Sequence, residues 1–199
     1  MIIDNAPQLS DEWFAARCGV VTASNFSKIV TATGKSSTSA TGYMNQLLAD
    51  WYVGKQVDVM EANGWMVRGT ELEAEARELY TFVSGNEAEQ VGLCYLDEDK
   101  LIGASPDGLI DDKGILEIKC PKAATVIEYM LTGFPSQYKQ QVQGQMWVTG
   151  RQWCDFFVYH PDIKPFQMRI ERDQAYINIM AEYIHKFVKT MLEKRSKLK

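Results

Sequence analysis

The segment SPDGLIDDKGILEIKCP, residues 105–121, carries two carboxylates and an ammonium group, Asp107, Glu117 and Lys119, at a spacing that a β-hairpin can bring together. The DDKG run between two apolar stretches supplies the turn. With Asp112, Lys113 and Gly114 as a three-residue loop, and Gly114 in the left-handed conformation that glycine tolerates, Asp111 is expected to face Ile115 and Asp107 to face Lys119. Side chains alternate along a strand, so Asp107, Leu109, Glu117 and Lys119 would share one face, while Leu116 and Ile118 point into apolar packing on the other. A four-residue loop would break this grouping.

Charges gathered in this way are costly to bury without a counter-ion. Oxygen ligands from Asp107, Glu117 and the Ile118 carbonyl suit a hard divalent cation, Mg²⁺ or Mn²⁺, with water and a phosphate oxygen filling the remaining positions. Lys119 would then hold or polarise an attacking water. The same spacing also fits an exposed hairpin with a surface salt bridge, and taken alone it leaves both readings open.

Two further groups can be singled out. On a helix expected from about Gly69 to Val83, Leu72, Ala76, Leu79, Tyr80 and Val83 fall on one face, and Glu71, Glu75 and Glu78 lie opposite. Glu73 borders the apolar stripe, where an acid can reach a metal cluster, although an ion pair with Arg77 at i+4 is its ordinary explanation. Near the N-terminus Arg17 precedes GVVTAS, in which Thr22 or Ser24 could start a helix whose free N–H groups favour an anion; a capped helix with a surface arginine is the plainer reading. His160 and His185 are isolated and receive no role.

Around these residues the expected order of elements is α, β, α, β, α. SDEWFAAR with a Ser cap, TASNFSKIV and about Thr41 to Gly54 read as helices; VGLCYL, LIGA, GLI and ILEIKC read as a β-meander. Helical spacing returns over about Ala124–Leu131 and Ser136–Val148, followed by strands at CDFFVYH and FQMRIER and a long amphipathic C-terminal helix. The SSTSATG run near residue 36 reads as a loop.

At 199 residues the chain fits one domain spanning 1–199, with ordinary soluble composition and no apolar run of membrane-spanning length. No secretory signal pattern opens it, and a cytoplasmic location is expected. Cys18, Cys94, Cys120 and Cys154 lie far apart, which argues against a zinc knuckle, a redox pair or an iron–sulfur cluster and favours buried free thiols. The net charge of −5 counts against an unspecialised nucleic-acid binder. It is unevenly placed: Lys186, Lys189, Lys194, Arg195, Lys197 and Lys199 face one acid, Glu193, over residues 186–199, leaving 15 basic and 25 acidic residues elsewhere. Such a tail can contact DNA or be a solvated helix end.

Five motifs, WFAARCGVVTAS, VRGTELEAEARELY, SPDGLIDDKGILEIKCP, QVQGQMWVTG and RIERDQAYI, occur in the order and at the intervals of the phage lambda-type exonucleases. The chain resembles this family, the YqaJ group within the PD-(D/E)xK nuclease superfamily. The resemblance implies an α/β fold with a restriction-endonuclease-like core, a central mixed β-sheet flanked by helices. It implies metal binding by Glu73, Asp107, Glu117 and the Ile118 carbonyl, with Lys119 as the catalytic lysine and two Mg²⁺ ions, replaceable by Mn²⁺. One ion would help generate the hydroxide nucleophile and the other stabilise the leaving 3′-oxygen.

By the same resemblance Arg17, Ser24, Ser105 and Gln141 would bind a 5′-phosphate. The implied activity is processive 5′-to-3′ digestion of linear double-stranded DNA to mononucleotides, leaving a 3′ single strand for recombination. Implied partners are linear duplex DNA, a single-strand annealing protein and two further copies in a homotrimeric ring, in a bacterial cytoplasm and of phage or prophage origin. A basic channel in such a ring would reconcile the net charge with DNA binding. The segment TATGKSSTS, residues 31–39, is shorter and less basic than its lambda counterpart, with Lys35 as the candidate replacement for an arginine contact. Competing readings are a RecB-like or restriction-type endonuclease lacking the phosphate pocket, and a non-catalytic DNA-binding protein on a nuclease fold.

Overall fold

The computed structural model of the protein describes residues 1–57 and 64–198, so Lys199 of the basic tail lies outside the described residues. The elements run β1 (Ile2–Asp4), α1 (Asp11–Ala16), β2 (Val21–Thr22), α2 (Ala40–Val53), α3 (Gly64–Ser84), β3 (Leu93–Tyr95), β4 (Ile102–Ala104), β5 (Gly108–Ile110), β6 (Gly114–Lys119), α4 (Ala123–Thr132), α5 (Lys139–Thr149), β7 (Trp153–His160), β8 (Ile163–Glu171) and α6 (Gln174–Arg195). Two four-stranded mixed sheets result, ordered β1-β3-β4-β2 and β5-β6-β7-β8. Both are flanked by helices, in agreement with the expected α/β class.

The second sheet carries the chemistry. Its centre is the parallel pair β6 and β7, which requires a crossover, here α4 and α5. Both strands are near-continuous apolar runs because both faces are covered. On one face Ala76 and Tyr80 of α3 pack with Ile110, Leu116, Ile118, Phe157 and Tyr159; on the other Ile115 joins a larger core with Val142 and Met146 of α5. β8 closes the edge with a mostly solvent-facing strand that includes Lys164, Pro165 and Arg169, types that discourage further strand pairing.

Several expectations need correction. The TASNFSKIV segment forms a 3₁₀ helix over Ala23–Lys28 and not an α-helix. Asn25 donates its side-chain amide to Thr22 Oγ1 at 3.0 Å, and such local side-chain bonds compete with the α-helical ladder. The β-runs between residues 91 and 120 are not one meander, because β3 and β4 belong to the first sheet and β5 and β6 to the second. β1 and β2, only three and two residues long, carry no alternation long enough to read. Val83, placed on the apolar stripe of α3, is half exposed.

The hairpin loop is three residues long, but it is Asp111, Asp112 and Lys113, with Ile110 paired to Gly114. The left-handed residue is Asp111, at φ 44°, and not Gly114. Gly114 is required for a different reason: a Cβ there would fall 2.2 Å from the Trp153 ring. This register shifts the pairing by two residues from the expected one, so Asp107 does not face Lys119.

Candidate active site

Asp107 stands at the bend that leads into β5 and is tied to β6 through its backbone and its side chain. Its N–H donates to the Leu116 carbonyl at 3.0 Å, and its Oδ2 accepts from the Ile118 N–H at 2.5 Å. A hydrogen bond of this kind contributes about 0.5–1.5 kcal/mol. The carboxylate therefore joins β6 at the strand's edge, flanking Glu117. Burial and the neighbouring Glu117 hold the Asp107 carboxyl well above the usual carboxylate range, with Glu73 adding to the shift and Lys119 and the Ile118 N–H opposing it.

Glu117 is 1% exposed, and an isolated carboxylate there would cost several kcal/mol. Three donors meet it. Lys119 Nζ and Gln141 Nε2, the latter at 2.5 Å, take Oε1, and Gln145 Nε2 takes Oε2 at 2.6 Å. Gln141 and Gln145 are one turn apart on α5, so a single helix face supplies both amides. The Gln145 side-chain oxygen Oε1 is buried and finds no hydrogen-bond partner among the described residues. Lys119 also lies over the Tyr138 ring at 5.1 Å. Burial alone would lower its ammonium, but Glu117 and Asp107 outweigh that and hold it above its ordinary value.

Glu73 stands on α3, which packs on the opposite face of β6, and is near enough to add to the shift of Asp107. The helix passes the end of that strand: a Cβ added at Gly69 would lie about 4.0 Å from the Cys120 carbonyl, one residue beyond β6. Glu73 pairs with Arg77 at 2.8 Å, and the same guanidinium donates to the Asp107 backbone carbonyl. Arg77 thus links the helix bearing one acid to the bend bearing another. A cavity of about 460 Å³ is lined by Glu73 and Arg77 together with Gln8, Thr70 and Gln90.

The donor set is all oxygen: Asp107, Glu117, the Ile118 backbone and Glu73. Among the described residues no three acidic, histidine or cysteine side chains are grouped closely enough to hold a metal by themselves. Two carboxylates and a backbone carbonyl are a donor set that could hold Mg²⁺, which commonly takes one or two protein carboxylates and completes its shell with water and substrate phosphate. The electrostatics fit as well, because the repulsion from Glu117 and Glu73 that adds to burial in raising Asp107 is what a divalent cation would offset.

A second cluster lies two residues from Asp107 along an extended chain, on the order of 7 Å between Cα atoms. Arg17 directs Nη1 to Ser105 Oγ at 3.3 Å and Nη2 to Thr22 Oγ1 and Ser24 Oγ, each at 3.5 Å. The guanidinium stacks on Trp13 at 4.2 Å, and the Trp13 indole N–H donates to Ser105 Oγ at 3.2 Å. No carboxylate among the described residues forms an ion pair with Arg17. A cation surrounded by hydroxyls is suited to an anionic ligand. Of the residues expected at a phosphate, Arg17, Ser24 and Ser105 come together, while Gln141 bonds Glu117.

Sequence reading named Arg77 as the i+4 partner of Glu73, and the pair forms, but it did not foresee the link to Asp107 and did not single out Gln145, Trp13 or Tyr138. Gln145 follows Gln141 by one helical turn, and Trp13 precedes Arg17 by four residues in α1, so helical spacing was the available signal. Tyr138 had none. The basic end of α6 is largely solvent-facing, with Arg195 stacked over Trp51 of α2 at 4.0 Å. The four cysteines are free; Cys94 and Cys154 are buried and Cys18 and Cys120 half-buried.

Residues 12–152 match the model of the YqaJ-like viral recombinase domain. The structure is similar to the crystal structure of an alkaline exonuclease from Laribacter hongkongensis, with 40% identity and a TM-score of 0.86 over 95% of this chain and 96% of that one. It is similar to the same protein in complex with dAMP, at 39% identity and a TM-score of 0.85 over the same shares. A phage-related exonuclease from Haemophilus somnus 129PT, 19% identical, shares the fold at a TM-score of 0.70 over 90% of this chain and 96% of that one. No curated protein matches the chain significantly.

Proposed function

The chain belongs to the YqaJ-like viral recombinase domain family, and from that premise we propose that it is a divalent-metal-dependent exonuclease that digests the 5′-phosphorylated strand of linear duplex DNA. The observation that carries this reading is the adjacency of the two clusters through Ser105 and Asp107: a hydroxyl-lined arginine beside a carboxylate and lysine centre. An anion held at Arg17 would measure a fixed distance from the strand end to the reacting phosphodiester. That arrangement favours release of mononucleotides over internal cutting.

Asp107, Glu117, the Ile118 carbonyl and Glu73 would hold Mg²⁺, or Mn²⁺ in its place, at two positions. The bound ions would stabilise charge on the phosphoryl oxygens and leaving 3′-oxygen and make water more acidic. Lys119, kept protonated by its two acidic neighbours, would act by donating hydrogen bonds and charge and not by taking a proton. Its place beside Glu117 lets it orient the attacking water in line with the P–O3′ bond that breaks. Gln141 and Gln145, bonded to its two oxygens, would keep Glu117 aimed. The 3′-ended strand would remain for a single-strand annealing partner, and a homotrimeric ring with a basic channel would give processivity despite a net charge of −5.

The test is digestion of linear duplex DNA labelled on either strand, with 5′-phosphate or 5′-hydroxyl ends, by the protein and its Lys119→Ala variant in Mg²⁺. Mononucleotides from the 5′-phosphorylated strand, reduced on hydroxyl ends and lost in Lys119→Ala, are expected. Cutting of closed circles would replace this reading with an endonuclease, and intact DNA with either metal would leave a binding protein.

A further inference from the structure

The cavity beside Arg17, of about 400 Å³, holds a second cation. Its lining includes Arg17, Thr22, Asn25, Lys28, Tyr43 and Asp50. Lys28 closes the 3₁₀ helix that begins just after Thr22, and its Nζ lies over the Tyr43 ring at 5.1 Å. Tyr43 is buried, and its hydroxyl accepts from the Thr22 N–H at 3.4 Å. Burial pushes that phenol up to about 12, so it remains neutral and serves as a platform. A continuous path therefore runs from Lys28 through Tyr43 and Thr22 to Arg17.

Neither cation is neutralised by an acid among the described residues. Among the described residues no carboxylate forms an ion pair with Arg17 or Lys28. Asp50, the carboxylate in the lining, is 6% exposed and engaged elsewhere, its Oδ1 accepting from Gln46 Nε2 and the Val57 N–H, each at 2.9 Å. Among the described residues of its lining, the cavity thus presents two positive charges against one buried acid that is already hydrogen-bonded.

That balance matters for which phosphate fits. A terminal phosphate monoester carries about −1.5 to −2 at neutral pH, with three strong acceptor oxygens. An internal diester carries one negative charge, which a single arginine can match. We propose that Lys28 is a specificity-determining residue of the Arg17 pocket, supplying the second positive charge that distinguishes a 5′-terminal phosphate monoester from a hydroxyl end. The ammonium is a point charge on a flexible stem, able to reach an oxygen that the rigid guanidinium fork leaves unmet. The inference rests on the phosphate reading of Arg17 and extends it to a residue outside the hydroxyl cluster.

The experiment measures Kd for hairpin-capped duplexes whose one free end bears either 5′-phosphate or 5′-hydroxyl, in EDTA so that nothing is cut. Lys28→Met is expected to weaken the phosphorylated duplex about tenfold and the hydroxyl duplex by less than about twofold, with Lys28→Arg retaining the preference. The slope of log Kd against log salt should fall by about one, for the phosphorylated end alone. Equal weakening of both ends would overturn the proposal, assigning Lys28 to the DNA backbone. So would an unchanged preference in Lys28→Met while Arg17→Met abolishes it. A wild type with no preference and a neutral Arg17→Met would instead remove the phosphate pocket itself, and Lys28's role with it.

Discussion

Asp107 grips the backbone on both sides of Glu117, donating its N–H to Leu116 and accepting the Ile118 N–H on its carboxylate. The two acids are thereby held together in spite of their repulsion. Asp107→Asn removes that repulsion and keeps an acceptor for Ile118. The variant is expected to melt in EDTA at or above the wild-type Tm while DNA cleavage falls at least about a hundredfold. A drop in both would mean that the charge is structural.

Arg77 joins Glu73 to the bend at Asp107. Arg77→Met should leave α3 folded, because Ala76 and Tyr80 carry its packing. It should raise the Mg²⁺ concentration for half-maximal cleavage by about ten- to a hundredfold. The paired measurement is the dissociation constant for DNA in EDTA, which should not move. An unchanged metal requirement would rule out a positioning role.

Asp155 is fully buried between β6 and β8, and Arg169 meets it through two bonds of 2.8 and 2.9 Å, with Tyr80 donating a third of 2.8 Å. Arg169 is itself half exposed and stacks on Trp153 at 3.6 Å. Removing it strands a buried carboxylate, so Arg169→Ala should lower stability by about 3 kcal/mol. Urea denaturation of that variant and of Arg169→Met with Asp155→Leu provides the check. The double change should recover most of the loss, since it removes both charges.

Asp173 caps α6, accepting from the Tyr176 N–H at 2.9 Å, and this bond, aided by Lys139, depresses its carboxyl below the usual range. A depressed carboxyl contributes stability above its unfolded value and loses that contribution as pH falls through the folded one. Asp173→Ala should cost about 1 kcal/mol at neutral pH. The difference in Tm from wild type should shrink as pH falls through and below the ordinary carboxylate range; a constant gap would assign it to helix propensity instead.

The sequence by itself determined the elements whose signals are local. Ser10 as a cap of α1, Gly54 ending α2, the apolar stripe of α3 through Ala76 and Tyr80, and the alternation that separates Glu117 from Leu116 are each written in a few adjacent residues. The identities of Asp107, Glu117 and Lys119 as a group were legible for the same reason, since one short hairpin contains them.

Only the tertiary structure decided how that group is assembled. The hairpin register turned on Gly114 lying against Trp153, a contact across 39 residues of sequence that turn chemistry alone does not specify. The division of the β-runs between two sheets depended on β7 arriving through a crossover, and Gln145 became a partner of Glu117 because α5 packs on that face of β6. The meeting of Arg17 with Ser105 likewise depends on folding, across 88 positions. Burial lets such distant contacts outweigh local preference, because a buried charge without its partner costs more than a turn or helix propensity contributes.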